Sequence, residues 1–413
     1  MIRINGCGRV VATLLALLGS ARALDLSDLD IAVRLWAAPE GSRSNHDSPF
    51  APAAELAQVG GERGRGEADL RLRRGGLTAE LSARAVARTG EKLHSQGLVN
   101  ELFYEADILG QHLTLGKKVM SWDVGFGCRP LDVVQQEDRR ALHPFALEGV
   151  PLLAWELFGE EWALTLLYAN PLRGRAPAPR DDESAALRHY RKLGAVDVHL
   201  VARYSGRTQV QAGAALAAVL GDAVELHASA RYQRRSERFA GLAAGELFAA
   251  SDPTTAAVSA DVVAALVGFT ITPGQGLSIL GEAWLDPAGS GADEWRAMAA
   301  LAGRQRALLG DPSFPAAAVL ANLAWGQRAF DRQNLLRENL FLRASWKGER
   351  LEPAVDLLCT PEDGGWVATA AVSYQGERTR LEGGLRLLGG PPGSAYRLFP
   401  ESAIFYGALQ VFF

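Results

Sequence analysis

Apolar and polar residues alternate with a period of two through most of the chain, in segments of about ten residues broken by glycine-, proline- and aspartate-rich turns. In a strand, successive side chains point to opposite faces, so each segment predicts one apolar and one mixed or polar face. The last stretch, Ser402–Phe413, is a clear case. Ala403, Phe405, Gly407, Leu409, Val411 and Phe413 share one register, and Ser402, Tyr406 and Gln410 fall in the other. Asp28–Trp36 sets Leu29, Ile31, Val33 and Leu35 against Asp28, Asp30 and Arg34. Leu70 and Leu72 alternate with Arg71 and Arg73, Gly75-Gly76 turns the chain, and Leu77–Ala85 runs back. Hairpins of the same kind are predicted at 99–119, 151–168 and 261–284, with three linked strands across 194–232 and four more across 336–388.

This gives seventeen strands. A repeated weak alternation is the expected mark of a transmembrane β-barrel, and a single-chain bacterial barrel has an even strand number. The fold predicted is therefore all-β, a transmembrane antiparallel barrel of 16–18 strands. The unseen strand falls in 171–193, before Pro151, or within 287–335. At that size the interior is an aqueous lumen rather than a packed core. One segment has helical spacing instead: Trp295, Met298, Leu301 and Leu308 within Ala292–Leu309. It lies in a connection of about fifty residues, where internal structure is expected. A helix there either packs on the rim or acts as a lid or partial plug.

The N-terminus changes the setting. Arg3 and Arg9 precede an apolar run from Val10 to Leu18, and Ala21-Arg22-Ala23 has the small-x-small form of a cleavage site. Residues 1–23 read as a cleaved signal peptide and 24–413 as a single barrel domain. Removing the first 23 residues leaves 40 basic against 47 acidic residues, a net charge of −7. That balance excludes a nucleic-acid partner. Only Cys128 and Cys359 remain, too few for a metal cluster; one disulfide and two free thiols are both open. No cofactor or metal is expected. No histidine sits in a Gly-x-Ser-x-Gly setting, and the reading is that the chain is not an enzyme.

Charged residues in the polar register are placed inward, since a charge facing lipid costs about 2–4 kcal/mol at the midplane. The basic ones cluster near the two chain ends, which barrel closure makes neighbours. Arg71, Arg73, Arg84, Arg88, Arg337, Arg343, Arg378, Arg380 and Arg386 form one expected arc. Glu101, Glu105, Asp107 and Glu156 follow on the next strands as the facing acids. The long loop after Val119 carries Trp122, Asp123, Arg129 and Asp132, and is expected to fold toward the lumen and narrow it.

The most distinctive local pattern is His112-Leu113-Thr114-Leu115-Gly116-Lys117-Lys118, then Trp122, Gly125 and Pro130-Leu131-Asp132. It resembles a strand-plus-loop of porin-like barrels related to alginate-export proteins and several uncharacterised outer-membrane families. There a strand ending Leu-Gly-Arg-Gln runs into Trp-Gly and then Asn-Pro-x-Asp. This chain has Lys117-Lys118 in place of Arg-Gln, Asp123 after the tryptophan and Arg129 before the proline. The terminal phenylalanine likewise resembles the closing strand of outer-membrane barrels. The resemblance implies a porin-like channel in the bacterial outer membrane, passing small polar or charged solutes. Its partners would be outer-membrane lipid, a small polar solute, and the barrel-assembly machinery through the strand ending at Phe413. An assembly or secretion barrel and an outer-membrane hydrolase are the alternatives.

Overall fold

The computed structural model describes all residues except 1–27, 57–60, 138, 140, 172–181, 241–245 and 254. The signal peptide read at 1–23 lies outside the described residues. The strands are β1 (Asp30–Ser44), β2 (Gly61–Arg74), β3 (Leu77–Arg88), β4 (His94–Ile108), β5 (Gln111–Lys118) and β6 (Val150–Phe158). They continue with β7 (Trp162–Ala169), β8 (Ser184–Leu193), β9 (Val196–Ser205), β10 (Gln209–Leu220), β11 (Val224–Ala240) and β12 (Thr255–Gly274). The last six are β13 (Leu277–Leu285), β14 (Glu338–Trp346), β15 (Leu351–Thr360), β16 (Gly365–Gln375), β17 (Thr379–Gly389) and β18 (Glu401–Phe412). All eighteen form one sheet, each paired antiparallel with its sequence neighbours, and β1 pairs with both β2 and β18. The sheet is a closed barrel with no free edge. The strand absent from the count of seventeen is β8. Its outward register runs Ala185, Leu187, His189 and Arg191, so apolar alternation fades after two positions.

Connections differ at the two ends. The end holding the chain termini has short turns, several of two residues. Gly75-Gly76, Leu109-Gly110 and Gln275-Gly276 each place both residues at positive φ, the twist-matched hairpin geometry that glycine favours. The opposite end carries the long loops and, among the described residues, three α-helices: α1 (Ala51–Leu56), α2 (Ala292–Ala307) and α3 (Ala316–Gln327). The expected helix is thus present as α2. Trp295 and Ala302 from α2, Val319 and Leu323 from α3, Phe50, Phe330 and Tyr396 pack into one dry cluster. This cap joins segments 45–56, 286–337 and 390–400 at the loop end. The third helix, α3, lacks a polar face to reveal its period: its sequence is AAAVLANLAWGQ.

Side-chain exposure follows the alternation. Leu115 (65%), Val267 (59%), Val355 and Leu340 stand outward, while Asp69, Ser82, Glu101, Thr114, Gln211, Ser229 and Thr369 are buried inside. Tyr204 and Phe405 are exposed near the loop end, and Trp162, Trp346 and Phe413 near the turn end. This is the aromatic pair of girdles around an apolar band.

The seam is closed to the last residue. Phe413 N–H donates to Val33 O (3.0 Å) and Val33 N–H donates to Phe413 O (3.2 Å). Each such bond contributes about 1 kcal/mol. Deleting Phe413 is expected to lower the fraction of heat-modifiable, folded barrel after refolding into lipid vesicles. An unchanged folded fraction would show that the terminal pair is dispensable.

Candidate functional site

The loop between β5 and β6, residues 119–149, enters the barrel. Its contacts run around the circumference. Ala146 N–H donates to Glu67 of β2 (2.9 Å), and Arg84 of β3 donates to Ala146 O. Arg231 of β11 donates to Pro130 O (2.8 Å), and Ser229 Oγ to Asp123 (3.3 Å). On the far side His143 lies 3.4 Å from Glu382 of β17 and packs on the Tyr406 ring of β18. Phe145 packs on Trp36 of β1. A loop standing outside the mouth could not reach all of these strands.

Two features seat it. The first is apolar: Trp122, Leu131, Val133 and Val134 pack against inward Val150, Leu152, Leu167, Val201 and Ala215 of β6–β10. Strands β6 and β7 are apolar on both faces, in Leu152-Leu153-Ala154 and Leu164, Leu166-Leu167. That doubling is a sequence sign that something apolar covers the inner face as well. The second is a carboxylate clamp. Glu282 of β13 accepts the N–H groups of Phe126 and Gly127 (2.6 Å each) and the Nε2 of His227 (3.0 Å). His227 lies two strands away. Gly268 lies between them, and a Cβ there would stand 2.3 Å from His227 Nε2 and 2.8 Å from Glu282 Cγ. Both Glu282 and His227 belong to the polar register; their joint hold on the loop tip is not readable from alternation.

The four loop residues singled out above serve this internal architecture. Asp132 is 3% exposed and accepts the N–H groups of Trp122 (2.6 Å) and Asp123 (3.0 Å) as well as the Ser121 hydroxyl. Asp123 accepts Val124 N–H (2.7 Å) and Leu131 N–H, and burial raises its carboxyl above the usual range. Arg129 Nε donates to Gly125 O (2.8 Å) and lies 3.5 Å from Asp132. None of the four lines the cavity beside the β13–β18 wall; from this loop that cavity is lined by Phe126, Gly127, Arg139, Ala141 and Leu142.

A cavity of about 640 Å³ lies between the loop and the β13–β18 wall. It extends from Gly276 and Lys347 at the turn end to Tyr396 and Phe399 beneath the cap. Of the expected arc, Arg343, Arg380 and Arg386 line it. Arg343 pairs with Asp356 (3.1 Å) and lies over the Phe126 ring (5.6 Å). Arg380 approaches Glu352 (3.6 Å), and Arg386 Nε donates to Thr369 (2.9 Å). The rest of the arc lies elsewhere. Arg71 pairs with Glu80 (3.7 Å) and Glu101 (3.6 Å), and Arg84 with Glu67 (2.7 Å). Arg337 reaches back to Glu294 of α2 (3.5 Å). Arg73, Arg88 and Arg378 are exposed at or next to strand ends, as is Asp107. Glu105 binds Lys118 (2.6 Å), and Glu156 accepts the Thr165 hydroxyl (2.9 Å). The arc is therefore not one-signed, because Glu67, Asp69, Glu80, Asp356 and Glu382 interleave with its arginines. Glu101, expected across the bore, bonds Arg71 on the same side.

Cys128 and Cys359 are free thiols. Cys128 follows the loop tip and is 7% exposed between Leu266 and Trp284. Burial pushes its thiol pKa up, so it is protonated as well as shielded. It reports on loop seating. In a Cys359→Ser background, Glu282→Ala removes the acceptor of two backbone donors, each worth about 1.5–3 kcal/mol to a charged partner. Maleimide labelling of Cys128 in the folded protein is expected to rise by at least about tenfold. Equal rates with and without Glu282 would mean that the clamp does not hold the tip.

No protein-family model and no curated protein matches the chain. Solved structures do share its fold. Acinetobacter baumannii OccAB1 aligns with a TM-score of 0.56 at 7% identity, over 94% of this chain and 96% of that one. Pseudomonas aeruginosa OccK8 (OprE) aligns at 0.53 and 10% identity, over 94% and 98%. Pseudomonas aeruginosa OccK5 (OpdH) aligns at 0.50 and 11% identity, over the same shares. The chain shares the closed antiparallel barrel fold of these three structures. The local similarity to alginate-export-related barrels rests on its own residues alone.

Proposed function

We propose that the protein is a porin-like channel of the bacterial outer membrane that passes small polar or charged solutes through the passage between the inserted loop and the β13–β18 wall. The observation that carries this is the polar cavity of about 640 Å³ lined by Arg343, Asp356, Arg380, Glu382 and Arg386 inside a barrel with an apolar exterior. Charged side chains and an enclosed cavity are costly in a barrel that only fills its interior; a solvated path explains both. The export signal and the Phe413 seam support an outer-membrane location reached through barrel-assembly machinery. Five basic groups line the passage, Arg139, Arg343, Lys347, Arg380 and Arg386, against three acids, Glu352, Asp356 and Glu382. The excess favours small anions modestly over cations. Purified protein in a planar lipid bilayer is expected to give discrete ohmic steps. Folded, heat-modifiable protein that inserts without conducting would overturn the proposal.

A further inference from the structure

One titratable side chain joins the inserted loop to the wall of the passage. His143 is 9% exposed and sits between two rings, Trp36 of β1 (centroids 6.5 Å apart) and Tyr406 of β18 (5.1 Å, edge to face). Tyr406 is backed by the wall at Gly384, where a Cβ would stand 2.4 Å from the phenol ring. His143 Nε2 lies 3.4 Å from Glu382 Oε1, and neither ring nitrogen has a hydrogen-bond partner among the described residues. Glu382 engages its other oxygen elsewhere: Oε2 accepts the Ser373 hydroxyl (3.0 Å) and lies 4.0 Å from Arg380. The charged groups further out have their own contacts. Glu67 of β2 accepts Trp36 Nε1 (2.9 Å) and pairs with Arg84 (2.7 Å). On β17 Arg386 bonds Thr369, and in the loop Arg139 pairs with Glu137 (2.8 Å). Glu382 and Leu142, the residue before His143, both line the passage.

An apolar ring would fill the slot between Trp36 and Tyr406 without leaving two buried nitrogens unpartnered. An imidazolium has hydrogens on both nitrogens, so its Nε2 would face Glu382 as a charged donor. Histidine is also the side chain whose ordinary charge change falls between about pH 5 and pH 8. We propose that His143 is a pH-dependent specificity determinant of the passage. Protonated from passage water, it pairs with Glu382 and turns the passage further toward small anions. Deprotonated, it returns Glu382 to the passage as a charge that attracts cations. Protonation thus cancels one of three acids while all five basic groups of the lining stay. The proposal deepens the channel reading and rests on it.

The test is the reversal potential of purified protein in a planar bilayer, across a potassium chloride gradient centred on about 0.1 M, at about pH 8 and about pH 5.5. One charge added about 6 Å from a passing ion, its effect about halved by screening at this salt, changes the anion-to-cation permeability ratio about threefold. The parent ratio is expected to rise by about that factor on acidification. In His143→Phe, which keeps a ring between Trp36 and Tyr406, this rise should be lost. His143→Gln serves the same purpose if the phenylalanine variant yields no heat-modifiable barrel. In His143→Lys the acid-side ratio should already be present at the higher pH. The lower pH stays above the ordinary carboxylate range. The neutral variants keep every carboxylate and every other histidine, so they show what those groups add. A parent ratio that is equal at both pH values overturns the proposal. A rise of parental size in the neutral variant places the titration elsewhere in the barrel and overturns it too. A channel that conducts with either result decides this inference alone, whereas folded protein without conductance overturns the channel reading beneath it.

Discussion

Excising residues 122–146 and joining the ends with a short Gly-Ser linker is expected to raise single-channel conductance severalfold and admit larger solutes. Barrels of 16–18 strands enclose a water-filled bore unless something occupies it. Here the occupant is the loop, held against β6–β10 by Trp122, Leu131, Val133 and Val134 and clamped at its tip by Glu282. The open path is reduced to a cavity of about 640 Å³ along β13–β18. Removing the loop exposes Val150, Leu152 and Leu167 to lumen water, at roughly 25 cal/mol for each Å² uncovered. It also strands Glu67, Arg84 and Arg231 without their loop partners. Some stability is lost, so the folded fraction must be checked by heat modifiability before conductance is read. The seam and the strand register do not depend on the loop, and the barrel itself should close. A folded, loop-deleted barrel with unchanged conductance would mean that the loop does not set the width of the path.

The barrel was legible because alternation is a property of each strand by itself. Leu340, Leu342 and Ala344 against Asn339, Arg343 and Ser345 can be read without knowing any neighbour. β8 was not, because its outward face turns to His189 and Arg191 near the turn end, where a strand has left the apolar band. The inward direction of Arg343, Arg380, Arg386, Glu282 and His227 followed from the same alternation. What each one touches did not, since partners come from register between strands and from a loop whose path has no period. Asp132 and Asp123 illustrate this. They belong to the loop expected to narrow the lumen, yet their oxygens are taken up by backbone N–H groups of the same loop. The part of the wall that packs on the cap and on Cys128 was present in the sequence as a break in pattern: Phe341, Leu358, Val367 and Leu388, cross-strand partners on β14–β17, are apolar residues in polar registers. A break acquires meaning only when register shows that the four are neighbours.

The double substitution Arg380→Ala, Arg386→Ala is expected to move ion selectivity toward cations. Both side chains line the passage, and they supply two of its five basic groups against three acids. Without them Arg139, Arg343 and Lys347 face Glu352, Asp356 and Glu382, and the positive excess is gone. A unit charge about 6 Å from a passing ion in water-like dielectric is worth roughly 0.7 kcal/mol. Two such charges amount to roughly 1.4 kcal/mol, or about tenfold in local ion concentration, before screening. At 0.1 M salt the Debye length is about 10 Å, which about halves that energy and leaves roughly a three- to fourfold change in the local concentration of each ion, opposite in direction for cations and anions, and so about tenfold in the cation-to-anion permeability ratio. At 1 M salt the screening length falls to about 3 Å and the difference between variant and parent should nearly vanish. The neighbouring ion pair Arg343–Asp356 remains, so the passage keeps its shape in the variant. Reversal potentials measured across a salt gradient decide the matter. If they do not move at low salt, ions take a route that these two arginines do not border.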